Sequence, residues 1–194
     1  MIFLRSTPDH QYRNYIDYRL LLRRDFQNRC AYCLVHEYFL GGEAGCCIDH
    51  HRPIRGVYAR PDLVSDYNNL YWSCRECNEN KGSMWPNPED YAAGLRFIDP
   101  CNPIDDHDLH LRILPSGAIE PLSLTGSYTI RHLKLWRPLL QHHRARSLRL
   151  GAEAAAIERS LGTKNLDPEH RTTLEHRLAE MKQWLEPQVF DRPR

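Results

Sequence analysis

Between residues 11 and 27 apolar side chains recur three or four apart, at Tyr12, Tyr15, Ile16, Leu22 and Phe26, with polar and basic residues between them. This spacing predicts an amphipathic helix that ends just before Cys30. Gly41-Gly42-Glu43-Ala44-Gly45 reads as a turn, and residues 46–51 behind it have the length and small or β-branched character of a short strand before Pro53. Residues 54–68 hold Gly, Pro, Ser, Asp and Asn and predict a loop, and residues 69–83 then hold the second C-x-x-C and are expected to contain a helix. Strand, loop and helix follow in that order.

Trp85-Pro86-Asn87-Pro88 interrupts the helix, and Pro88 with Glu89 and Asp90 looks like the first turn of another. Residues 99–108 form a turn-rich connection, and residues 109–114 and 118–122 flank Pro115-Ser116-Gly117 as a hairpin. Beyond Thr129 the chain reads helical to about Glu186, with breaks near Pro138, Gly162 and Asp167-Pro168, the last an N-cap followed by proline. The pattern predicts an α+β fold, mostly helical. Residues 1–97 are expected to form a core with an N-terminal helix, and residues 98–194 a hairpin plus C-terminal helical extension packed on it.

Composition narrows this little. The 194 residues carry 26 Lys and Arg against 25 Asp and Glu, a formal net charge of +1, so attraction to nucleic acid must come from local patches. No apolar run approaches the roughly 20 residues needed to cross a bilayer. The opening Met1 to Ser6 is too short for a secretory signal, so a cytoplasmic protein without a membrane partner is expected.

Seven cysteines would leave one unpaired in a disulfide framework, and four fall in two C-x-x-C pairs, Cys30/Cys33 and Cys74/Cys77. In a reducing compartment this spacing reads as a closed structural Zn²⁺ site, because each tight turn offers two thiolates to a tetrahedral ion. Cys46, Cys47 and Cys101 lack a partner at that spacing and are expected to act as small apolar residues. Zinc would also close the interval from Cys33 to Cys74, setting the second C-x-x-C against the strand that carries Asp49 and His50.

Cys-Ala-Tyr-Cys, then Ile-Asp-His-His-Arg-Pro, then Asn-Asn-Leu-Tyr-Trp-Ser-Cys-Arg-Glu-Cys-Asn-Glu-Asn-Lys-Gly, in that order over about residues 29–82, resembles the zinc-knuckle branch of the HNH, or ββα-metal, endonucleases. The resemblance implies a ββα-metal core that hydrolyses phosphodiester bonds in DNA, with Asp49 and Asn78 ligating a catalytic Mg²⁺ or Mn²⁺. His50 is implied as general base, with a backbone carbonyl orienting its other nitrogen. Asn69 is implied as a structural brace. In some branches a His-His pair supplies ligand and base, which would shift the roles to His50 and His51. Asp49 and Pro53 align the chain with the Asp-His-x-x-Pro form, leaving His51 packed or touching phosphate. Arg52 and Lys81 are candidate phosphate contacts, or else solvated surface charges.

Two further stretches carry weaker signals. Asp99, Asp105, Asp106, His107, Asp108 and His110 gather possible ligands, and turn chemistry explains them more cheaply than a second metal site. Residues 131–149 carry Arg131, Lys134, Arg137, Arg144, Arg146 and Arg149 with no acid, so they could follow a nucleic-acid backbone or form a solvated face of a packed helix.

Asp99-Pro100, residues 110–112 with 117–121, and residues 129–135 are similar to the tail of HNH proteins of retron and Septu-type antiphage systems, with Trp136 where Asn is expected. That resemblance implies a defence effector working beside an ATPase. Two other readings stay open: a zinc-stabilised nucleic-acid- or protein-binding module without activity, and an RNA-cutting toxin of the same fold.

Overall fold

The computed structural model describes residues 3–163 and 166–185. The first helix is shorter than the apolar periodicity predicts. Asn14 caps a 3-10 turn at Tyr15–Tyr18 by accepting from Ile16 N, and α1 runs only over Arg19–Asp25. Residues 11–13 stay outside the helix because the cap fixes its start at Asn14.

β1 (Cys46–His50) pairs antiparallel with β2 (Leu70–Cys74), Asp49 opposite Tyr71 and His50 opposite Leu70. β2 is a strand that the sequence reading did not place ahead of the helix expected within residues 69–83. All five of its residues are buried, so the strand shows no polar alternation and its apolar run does not distinguish strand from helix by period. The helix begins one residue later, as α2 (Arg75–Lys81), and packs on both strands.

α3 (Pro88–Ala92) begins at its proline, with Asn87 as cap. The connection at residues 99–108 winds into a short helix, α4 (His107–His110), ahead of the hairpin β3 (Leu111–Ile113) and β4 (Ile119–Pro121). α5 (Leu124–Leu133) starts earlier than Thr129, on the Ser123 cap, and Gly126 is tolerated inside it because a Cβ there would lie 2.0 Å from the His110 carbonyl oxygen. α6 (Pro138–Leu161) and α7 (Pro168–Leu185) pack together, and Asp167 accepts from His170 N at 3.0 Å.

The two halves share one core. Leu133, Leu135 and Leu140 join Phe3, Leu22, Phe26, Tyr71 and Trp72 in a single buried cluster, while Ala154, Ile157 and Met181 form a small separate one between α6 and α7. Gly117, at φ +79°, presses the hairpin turn onto α6: a Cβ there would meet the Gln141 carbonyl oxygen at 1.8 Å. The acid-rich segment serves the same junction, and more than turn chemistry. Buried Asp105 accepts from Arg96, His110 Nε2 and Asp99 N, and Tyr71 donates to Asp99. No described helix is long and apolar enough to cross a membrane.

A pH dependence follows from His36. Its Nδ1 accepts from Tyr38 N at 3.2 Å, its Nε2 is buried without a partner, and burial, aided by Arg29 and Arg23, pushes the imidazole from 6.5 down to about 4. The folded state holds it neutral where the unfolded chain would protonate it. Its stabilising effect is therefore complete above pH 6.5 and is lost as pH falls towards 4. His36→Asn, which keeps a cap acceptor, is expected to flatten the stability-against-pH curve in that window. Urea denaturation at several pH values checks this, and curves that run parallel to wild type refute it.

Candidate functional site

The knuckle is built by local backbone geometry. Leu34 adopts a left-handed φ of 62° and donates to the Cys30 carbonyl at 3.0 Å, folding Cys30 and Cys33 onto one turn. Across from them Cys74 caps α2, its Sγ accepting from Cys77 N at 3.4 Å. The four sulfurs lie within 4.8 Å of one another and all four residues are buried. A tetrahedral ion at about 2.3 Å from each sulfur sets them about 3.8 Å apart, so this donor set fits zinc and leaves no open coordination position. Burial, then hydrogen bonding to the neighbouring thiols, pushes Cys33 well up: four packed sulfurs cannot all ionise without a cation among them. Among the described residues it is the sole grouping of three or more His, Cys, Asp or Glu able to hold an ion, so residues 99–110 supply no second one.

Successive side chains of a strand point to opposite faces, and β1 divides its polar residues accordingly. Cys47 and Asp49 face α2, where Asn78 and Lys81 stand three apart on one helix side. Lys81 Nζ reaches Asp49 Oδ1 and Oδ2, each at 3.1 Å, and the His50 carbonyl at 2.7 Å, while Asn78 lies against Cys47. Tyr32, from inside the knuckle, donates to Asp49 Oδ2. Asp49 is only 4% exposed, and burial pushes its carboxyl up against the opposing pull of Lys81 and Tyr32.

His50 emerges on the other side of the strand. Its Nε2 lies 2.9 Å from the Val64 carbonyl oxygen and its ring meets Tyr15 edge-on at 4.9 Å. A carbonyl can only accept, so Nε2 carries the proton of the neutral imidazole and Nδ1 keeps a lone pair.

The remaining candidates are spent largely on structure. Asn69 accepts from Arg52 N at 2.7 Å and donates to Arg52 O at 3.0 Å, clamping the two ends of the loop between β1 and β2. His51 stacks on Tyr71 at 4.6 Å and meets Trp85 edge-on, and burial pushes it down to about 4, so it is a neutral packing group. Arg52 donates to the Tyr58 carbonyl and lies over the Trp85 ring at 4.7 Å. Lys81 is fully buried, so it is not presented as a surface phosphate contact.

The arrangement thus brings Asp49 together with Lys81 and places Asn78 on the same face, but it directs the His50 ring elsewhere. A hard divalent ion needs several oxygen ligands and usually retains water. As placed, Asp49 is closed to water and both its oxygens are occupied, so Asp49 and Asn78 do not fit such an ion. Sequence reading missed Tyr32 as a partner of Asp49, and the backbone carbonyl expected to orient His50 is that of Val64, which the sequence does not single out. The tyrosine lay in plain view inside Cys-Ala-Tyr-Cys, whereas a main-chain acceptor leaves no trace in residue identity.

The basic stretch is also partly internal. Arg144 is buried, Arg137 approaches Cys77, and Arg146 lies over the Phe39 ring. No family model matches the chain, and neither a curated protein nor a solved structure does.

Proposed function

We propose that this chain is an endonuclease of the HNH type that hydrolyses phosphodiester bonds in DNA, with His50 as general base. The observation that carries the reading is the His50 ring at the end of β1, with Nε2 donating to Val64 O and Nδ1 left as proton acceptor. Support comes also from the strand, strand, helix order of β1, β2 and α2 around a zinc-binding four-cysteine cluster, the frame the HNH resemblance implies. In the step proposed, a water oxygen bonds to phosphorus as its proton passes to Nδ1, and the phosphorus–oxygen bond to the leaving strand breaks. Asp49, Lys81 and Tyr32 hold the strand end that presents His50. The resemblance of the tail adds a role as effector of an antiphage system beside an ATPase, inside the cell.

Purified protein supplied with Mg²⁺ or Mn²⁺, with and without an ATPase partner, is to be assayed on plasmid, single-stranded DNA and RNA. His50→Ala is expected to lower cleavage by about 10²- to 10⁴-fold. Equal cutting by His50→Ala would remove the histidine from catalysis, and preferential cutting of RNA would move the protein to the RNA-cutting reading. The sealed Asp49 favours one alternative, a zinc-stabilised binding module without activity. That reading stands if wild type cuts none of the substrates.

A further inference from the structure

Four thiolates around Zn²⁺ leave two negative charges in excess, and burying net charge is costly unless counter-charge is buried with it. One guanidinium from the second half of the chain touches this cluster, and a second lies buried two turns further along the same helix side. Arg137, which precedes α6, donates through Nη2 to Cys77 Sγ at 3.6 Å and pairs through Nη1 with Glu76 Oε1 at 3.0 Å. Arg144 lies seven positions on, two turns along the same helix side, and is 2% exposed.

Arg144 is the more telling of the two. Its Nε donates to Gly117 O and its Nη2 to Leu135 O, each at 2.7 Å, but Nη1 is buried with no partner. Those acceptors are neutral carbonyls. They satisfy donors and leave the charge unmet, and an isolated buried cation is not tolerated without an anion nearby. Burial disfavours its charge and Arg137 repels it, against which the sulfurs of Cys33 and Cys77 pull the other way.

We propose that Arg137 and Arg144 are the counter-charges of the four-cysteine metal centre, so that metal loading also docks the first two turns of α6 against the knuckle. The two guanidiniums offset the excess charge of the zinc–thiolate cluster in part, Arg137 sharing its charge with Glu76. The carbonyl bonds of Arg144 then extend the linkage to the hairpin turn at Gly117 and to Leu135. Neutral thiols in the metal-free state would leave both guanidiniums without an anion at the cluster and loosen the contact from both sides. This inference depends on zinc in the cluster and on no part of the nuclease reading.

The test uses the zinc-loaded full chain. Arg137→Gln is the principal variant because Arg137 is half-buried and its loss spares the core. Zinc transfer to a chromophoric chelator is expected to be about 10- to 100-fold faster than in wild type. Arg137→Lys, which restores charge, should recover most of the difference. With Co²⁺ in place of zinc, the thiolate-to-cobalt absorption band should also shift in Arg137→Gln, a change that loss of packing alone would not cause. Arg144→Met should release zinc faster still, and if it does not fold, the Arg137 series decides. Arg131→Gln, on the exposed side of α5, is the control. A folded Arg137→Gln with wild-type zinc retention and an unshifted cobalt band overturns the proposal, as does wild type purified without zinc.

Discussion

Cys77→Ser is expected to unfold the protein rather than merely to weaken it. Cys77 is one of four clustered sulfurs that could hold one ion, and zinc binding in small structural sites carries an apparent free energy of about 10–16 kcal/mol. An ordinary domain has only about 5–15 kcal/mol of net stability, so losing the ion removes most or all of it. The cluster joins the turn at Cys30–Cys33 to the junction of β2 and α2, and that junction sets Lys81 against Asp49. Chelation of zinc from wild type should give the same loss of circular-dichroism signal, and Tm should rise with free zinc concentration. Cys101→Ala, at a cysteine remote from the cluster, should retain zinc. Preserved secondary structure in zinc-free protein would count against the knuckle as a structural site.

Lys81→Met is expected to destabilise by about 3–5 kcal/mol, because it strips the partner from a buried carboxylate while filling nearly the same volume. Among the described residues the Lys81 ammonium is the ion-pair partner of Asp49, and the Tyr32 hydroxyl cannot replace its charge. Burial already pushes the Asp49 carboxyl up, so part of the loss will appear as proton uptake by Asp49. The double variant Lys81→Met/Asp49→Asn removes both charges and should regain much of the stability, since neutral groups of similar shape leave no buried ion. Urea denaturation of wild type, both single variants and the double variant closes the cycle. A single-variant cost under about 1 kcal/mol would mean that Asp49 is hydrated after all.

What could be read from residues alone was what short-range chemistry dictates. The two C-x-x-C turns, the strand behind the Gly41–Gly45 turn, Pro88 and Pro168 at helix starts, and the hairpin around Gly117 each follow from a few adjacent residues. β2 was hidden because burial on both faces removes the alternation by which a strand is recognised. Lys81 and Arg144 read as surface charges because nothing local shows that a long basic side chain turns inward; Asp49, which receives Lys81, lies 32 positions away, and Gly117 O, which accepts from Arg144, 27. The candidate site was legible as a set of residues and illegible as a set of directions. Adjacent Asp49 and His50 suggest convergence on one point, and the pleat of β1 sends them to opposite sides.

α6 belongs to two cores at once. Its first turns carry Leu140 and Arg144 into the main core beside the knuckle, and its last turns carry Ala154 and Ile157 into the small cluster shared with Met181 of α7. At 24 residues it is a rod of roughly 36 Å. Load applied to the outer helix pair therefore reaches the four-cysteine cluster as leverage along one continuous helix, with no loop between to absorb it. Gly151 stands between the two ends with nothing packed where a Cβ would be, which makes it the softest place on the arm.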